Sequence, residues 1–112
     1  MELTLAEYQR EAVRTHNGAL SDKEAKASYA LGLAGEAGEV ADVIKKTLFH
    51  GHDLNRAQLV KELGDVYWYL SAVAWMFGIS SNEVLTKNIE KLRKRFPNGF
   101  SNADSISRKD KE

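Results

Sequence analysis

Apolar positions recur at steps of three and four along most of this chain, and the gaps between the runs carry helix caps. Thr4 with Glu7 forms a capping box that opens a first helix, which stops near His16-Asn17-Gly18. Ser21 with Glu24 opens a second, running to about Leu48, with Leu33, Val40, Ile44 and Leu48 on one face. Asp53 or Asn55 caps a third that reaches Phe77 before Gly78; Leu59, Leu63, Val66, Leu70, Val73 and Phe77 read as its core stripe. Ser80 with Glu83 opens a fourth, closed by Phe96-Pro97-Asn98-Gly99. No alternating run of β-branched residues marks a strand. The pattern predicts an all-α domain of four helices over residues 1–100, built on two long antiparallel central helices. Residues 101–112, with Ile106 as their one large apolar member, read as a disordered polar tail. The central helices carry more apolar surface than one neighbour can cover, which predicts a homodimer or homotetramer.

Composition narrows the function without naming it. The chain has 112 residues, enough for one core, and no internal repeat. Its formal net charge is zero, which argues against binding a nucleic acid polymer through a broad basic surface. Cysteine is absent, so thiolate metal sites and disulfides are ruled out. The opening Met-Glu-Leu-Thr-Leu has no charged-then-apolar leader, and no apolar run approaches membrane length. The expectation is a soluble, cytoplasmic protein.

The chemistry lies in four acids set symmetrically about one turn. Glu36 and Glu39 precede His50-Gly51, and Glu62 and Asp65 follow it at matching distances. Folding the two helices back on each other brings the carboxylates together as two facing pairs. A solvated face usually places Lys or Arg four residues after a Glu. Here those positions are Val40, Val43, Val66 and Tyr69, and Lys61 is the one compensating charge nearby. Gathered like charges raise their own pKa values unless a cation sits among them. A ligand set of carboxylates alone suits Mg²⁺, or Mn²⁺, better than zinc. A di-iron bundle would want Glu-x-x-His motifs, which neither pair supplies. His50 and His52 belong to the turn, and His16 reads as a helix-end residue.

Other groups share these faces. Lys46, two turns after Glu39, is either a phosphate contact or a surface lysine. Tyr69 follows Asp65 by one turn and is placed to border the site. Trp68 and Trp75 serve packing or, more sharply, stack on a nucleobase. On the fourth helix Asn88, Lys91 and Arg95 line one side, suited to a polyphosphate or to solvent. Gly32, Gly35 and Gly38 keep one strip of the second helix bare, for close packing, for a ligand, or for both.

Glu36-Ala-Gly-Glu39 and, after 22 residues, Glu62-Leu-Gly-Asp65 resemble the E-x-x-E…E-x-x-D signature of MazG-like all-α nucleoside triphosphate pyrophosphohydrolases. The similarity extends from Tyr8-Gln9 through the 31–46 and 62–70 helices to Asn88–Pro97, covering about residues 5–100. It implies Mg²⁺-dependent cleavage of (d)NTP to (d)NMP and pyrophosphate. By the same resemblance Glu36, Glu39, Glu62 and Asp65 are the metal ligands and catalytic acids, and Lys46, Asn88, Lys91 and Arg95 are phosphate contacts. It also implies a homo-oligomer with sites near subunit interfaces. Many relatives carry a second Glu before the first motif Glu; Gly35 stands there instead. That leaves the general base to one of the four acids or to water activated at the metal. Two other readings share the acidic hairpin: a pyrophosphohydrolase of another ester such as phosphoribosyl-ATP, and a non-catalytic helical module binding a divalent ion or a partner.

Overall fold

The computed structural model describes residues 2–111, and no β-strand occurs among them. Helix α1 spans Leu5–Ala12 and tightens into a 3₁₀ turn at Val13–Thr15. Helix α2 covers Asp22–Phe49, α3 Arg56–Met76, α4 Ser81–Arg95 and α5 Asn102–Ser107, with a last 3₁₀ turn at Lys109–Lys111. The described residues are therefore all-helical, with five α-helices where four were expected.

The caps explain most of the boundaries. The Thr4–Glu7 and Ser21–Glu24 boxes are reciprocal, each side chain accepting from the other residue's backbone N–H. Asn55, not Asp53, caps α3 by accepting from the Gln58 N–H, and Ser80 caps α4 through the Glu83 N–H. After α3 the chain turns through Gly78 at φ 70°, a conformation that costs a residue without Cβ little. There Gly78 N–H bonds the Trp75 carbonyl and Ile79 N–H the Ala74 carbonyl, closing the helix with a Schellman motif.

Helices α2 and α3 pack antiparallel along their length, and α1 lies across α3. The core is small: Ala25, Tyr29 and Ala72, surrounded by Leu20, Trp68, Tyr69, Val73 and Met76. Small residues at 25 and 72 let the backbones approach, and aromatic rings fill the remaining space. One buried polar side chain joins three elements. The Gln9 amide donates to the Ser71 and Ile79 carbonyls and accepts from the Ser81 N–H, so α1, the end of α3 and the start of α4 are pinned together with no polar atom left over.

Two expectations are corrected here. The α3 stripe is not one buried face: Val66 and Val73 are half-buried, while Leu70 is 49% and Phe77 59% exposed. On α2, Ile44 and Leu48 are exposed as well. A two-helix hairpin can cover only one side of each member, and α1 and α4 shield part of the rest. The second correction concerns residues 101–112. Within the described part, Ser101 caps α5 through the Asp104 N–H, and Asp110 folds the segment back onto α4. Its order comes from that ion pair and not from apolar burial.

The chain exposes 8348 Å², against about 6,200 Å² for a compact monomer of this mass. Its radius of gyration is 17.2 Å, against about 13 Å for a compact domain of this length. Much of the surplus is apolar: Val60, Leu63, Tyr67, Leu70 and Phe77 are exposed at heptad-like steps along α3.

Candidate metal centre

The antiparallel register of α2 and α3 brings Glu36 opposite Glu62 and Asp65. One carboxylate oxygen from each of these three lies within 4.8 Å of the others. Glu36 and Glu62 are half-buried and Asp65 is exposed. Among the described residues, none of them, nor Glu39, makes an ion pair with Lys or Arg. Burial pushes the Glu36 carboxyl above its ordinary range. The charges of Asp65 and Glu62, a hydrogen bond with Glu62 and the charge of Glu39 push the same way. Burial also raises the Tyr8 phenol, and Asp65 adds to that shift.

Glu39 departs from the expected pairing. Three of the four acids converge, and Glu39 stands one turn nearer the loop, close enough to act on Glu36 by charge. It lines a second cavity of about 230 Å³ with Asp42, Lys46, His52, Asp53 and Gln58. A step of three residues on a helix turns a side chain by about 60° and moves it about 4.5 Å along the axis, enough to separate neighbouring acids. The three convergent carboxylates are hard oxygen donors without an internal counter-charge, which fits a divalent cation of the Mg²⁺ or Mn²⁺ kind.

Beside them, Glu36, Asp65, Trp68 and Tyr69 line an open cavity of about 370 Å³. Trp68 is fixed by its indole N–H, which donates to the Ala12 carbonyl and to Thr15 Oγ1, both at 2.9 Å. Trp75 packs edge-on against His16, 4.9 Å between ring centres. His16 is more than a helix-end residue: its Nδ1 is hydrogen-bonded to the Tyr29 hydroxyl in the core.

The basic candidates are placed differently from the acids. Lys46 Nζ pairs with Asp42 at 2.8 Å, and that hydrogen bond and charge raise its pKa, with Glu39 contributing from farther off. An acid four residues before a lysine is a local signal that identifies this pair. Asn88 and Lys91 are exposed on α4, and among the described residues no hydrogen bond or ion pair links them to the acids. Arg95 is engaged elsewhere. Its Nε and Nη2 each donate to Asp110 at 2.9 Å, while Arg108 donates to the same carboxylate at 3.1 Å. Nothing local in the sequence announces a contact across fifteen residues. Tyr8-Gln9 belongs to the family-like opening, but neither the Gln9 hydrogen bonds across three elements nor the contact of Tyr69 with Gly32 has a local signal in the sequence.

These features define a small helical protein with three carboxylates gathered on its central hairpin. The family model of the MazG nucleotide pyrophosphohydrolase domain matches residues 24–100, and the chain belongs to that family. It is also similar to the Gene 37 protein of Mycobacterium phage L5, 38% identical over 73 residues. That match takes in 62% of this chain and 64% of the relative, so the chain spans less than two thirds of that protein's length. No solved structure gives a significant match.

Proposed function

We propose that the chain is a Mg²⁺-dependent nucleoside triphosphate pyrophosphohydrolase, converting (d)NTP to (d)NMP and pyrophosphate in nucleotide-pool cleansing in the cytoplasm. The observation that carries this reading is the uncompensated Glu36–Glu62–Asp65 cluster, within 4.8 Å, on the hairpin of a MazG-family chain. These three residues would hold the ion, with Glu39 completing the set from one turn away. Bound there, Mg²⁺ or Mn²⁺ neutralises phosphate oxygens and favours ionisation of the attacking water.

The protein groups divide the remaining work. Glu36, facing Glu62 and Asp65 in the cluster, is placed to take a proton from the water that attacks the α-phosphorus, in place of the acid absent at Gly35. Lys46 offers a cation to the departing pyrophosphate, at the expense of its Asp42 pair. Tyr69 borders the substrate at the aromatic side. Asn88, Lys91 and Arg95 reach a phosphate from a neighbouring copy in a homodimer or homotetramer, and Arg95 must first leave Asp110. The exposed apolar stripe on α3 and the large surface support such an assembly.

The test is pyrophosphate release from a panel of canonical and modified (d)NTPs, with Mg²⁺ and with EDTA. Release of pyrophosphate with NMP, dependent on the metal, is expected. No release from any nucleotide by the folded protein would overturn the reading.

A further inference from the structure

The glycines of α2 differ in what faces them. A Cβ on Gly35 or Gly38 would meet nothing within 4 Å. A Cβ on Gly32 would lie 2.5 Å from Cζ and 2.9 Å from Cδ1 of Tyr69, and nearer still to Cε1. Carbon atoms pack at roughly 3.5–4.0 Å, so no other L-residue leaves the ring where it is. The Tyr69 ring therefore rests on bare α2 backbone.

Its other neighbours confine it further. Trp68 meets the ring edge-on, with centres 5.0 Å apart and planes at 85°. Tyr29, 5% exposed, meets it at 6.3 Å and 63°. Trp68 is anchored by its two hydrogen bonds to Ala12 and Thr15, and Tyr29 by His16. Tyr69 thus has a backbone on one side and fixed rings on others, yet still lines the cavity that Glu36 and Asp65 share. That cavity, about 370 Å³, falls in the size range of small-ligand pockets. The indole N–H of Trp68 is already engaged, so this wall presents aromatic surface with the Tyr69 hydroxyl as its available polar group.

We propose that Tyr69 is a stacking platform for the nucleobase and that Gly32 is its positioning residue, holding the ring beside the carboxylates. The base is then recognised by its flat face and not by hydrogen bonds to Trp68. This rests on reading the acids as a nucleotide site.

The test is a double-mutant cycle on the full chain: Gly32→Ala, Tyr69→Leu and both together, assayed with dATP and dCTP in Mg²⁺. Stacking on an aromatic ring is strong enough that Gly32→Ala should raise KM about tenfold and move kcat far less. In the Tyr69→Leu background the same change should add nothing, because the ring it displaces is gone. An equal KM penalty in both backgrounds, or none in either, would overturn the proposal. Should a variant not fold, the wild-type protein answers alone. Adding dAMP in EDTA should move the Tyr69 ring-proton NMR signals upfield, and unmoved signals would overturn the platform. A shift without turnover of any triphosphate would support the platform and refute the hydrolytic reading.

Discussion

Two carboxylate environments at different places in this chain have opposite character. On the α2–α3 hairpin, three acids converge with no cation among them, and the Glu36 carboxyl is pushed above its ordinary range by burial and by like charges. In the last 3₁₀ turn, the Asp110 side chain is 2% exposed and is clamped by the guanidinium groups of Arg95, at the end of α4, and Arg108. Hydrogen bonds from Arg95 and then Arg108 hold its carboxyl far below the ordinary range. One region is internally satisfied and serves to fold the chain; the other is left unsatisfied by the fold. Carboxylates that repel each other weaken the fold, and a divalent ion bound among them would remove that penalty.

The largest expected effect separates the two regions by function. Asp65→Asn should lower metal-dependent pyrophosphate release by about a hundredfold or more, the scale of losing a group that stabilises transition-state charge. Far-UV circular dichroism should stay unchanged, and full activity would remove Asp65 from the site. Next comes the surface between them. Leu70→Glu places a charge in the exposed α3 stripe and should reduce the molar mass measured by light scattering to that of one chain, 12.5 kDa. An unchanged mass would show that this stripe is not the contact between copies.

The pH response should have opposite signs in the two regions. Glu36 has a folded-state pKa above its unfolded value, so without metal its ionisation costs stability as pH rises. The folded form binds that proton more tightly. The melting-temperature gap by which Glu36→Gln exceeds wild type at neutral pH should therefore close as pH falls toward about 4.5. Asp110 has a folded-state pKa below its unfolded value, so its stabilisation is present above the ordinary carboxylate range and is lost progressively as pH falls from that range to the depressed value. Amide exchange in α5 should stay slow under the mildly acidic conditions that relieve Glu36. Smallest of all, Asp110→Asn should speed exchange in α5 and lower the melting temperature by about a few degrees at most, a modest mutational cost. Unchanged exchange would mean that the clamp does not order the tail.

Much of this was legible because it is local. A cap needs residues three apart: the Thr4 and Ser21 starts are full capping boxes, and Ser80 accepts from the Glu83 N–H alone. The acidic hairpin was legible because antiparallel helices map the symmetric Glu36 and Asp65 onto each other. What was missed depends on partners distant in sequence. The periodicity of Leu63, Leu70 and Phe77 identifies an apolar face but not what covers it, and within one chain nothing fully does. The order of residues 102–111 rests on Arg95 meeting Asp110, and the placing of Tyr69 rests on Gly32 across the hairpin. Glu39 fell outside the convergent trio because side-chain direction, not spacing, decides which neighbouring acids meet.

Whether the hairpin acids bind a divalent ion is read by thermal unfolding of wild type and Glu36→Gln, each in EDTA and in Mg²⁺. In EDTA the variant should melt higher, because one repelling charge is gone. In Mg²⁺ the order should reverse, with wild type gaining more from the ion. The same order in both conditions, or no response to Mg²⁺ in wild type, would contradict such binding.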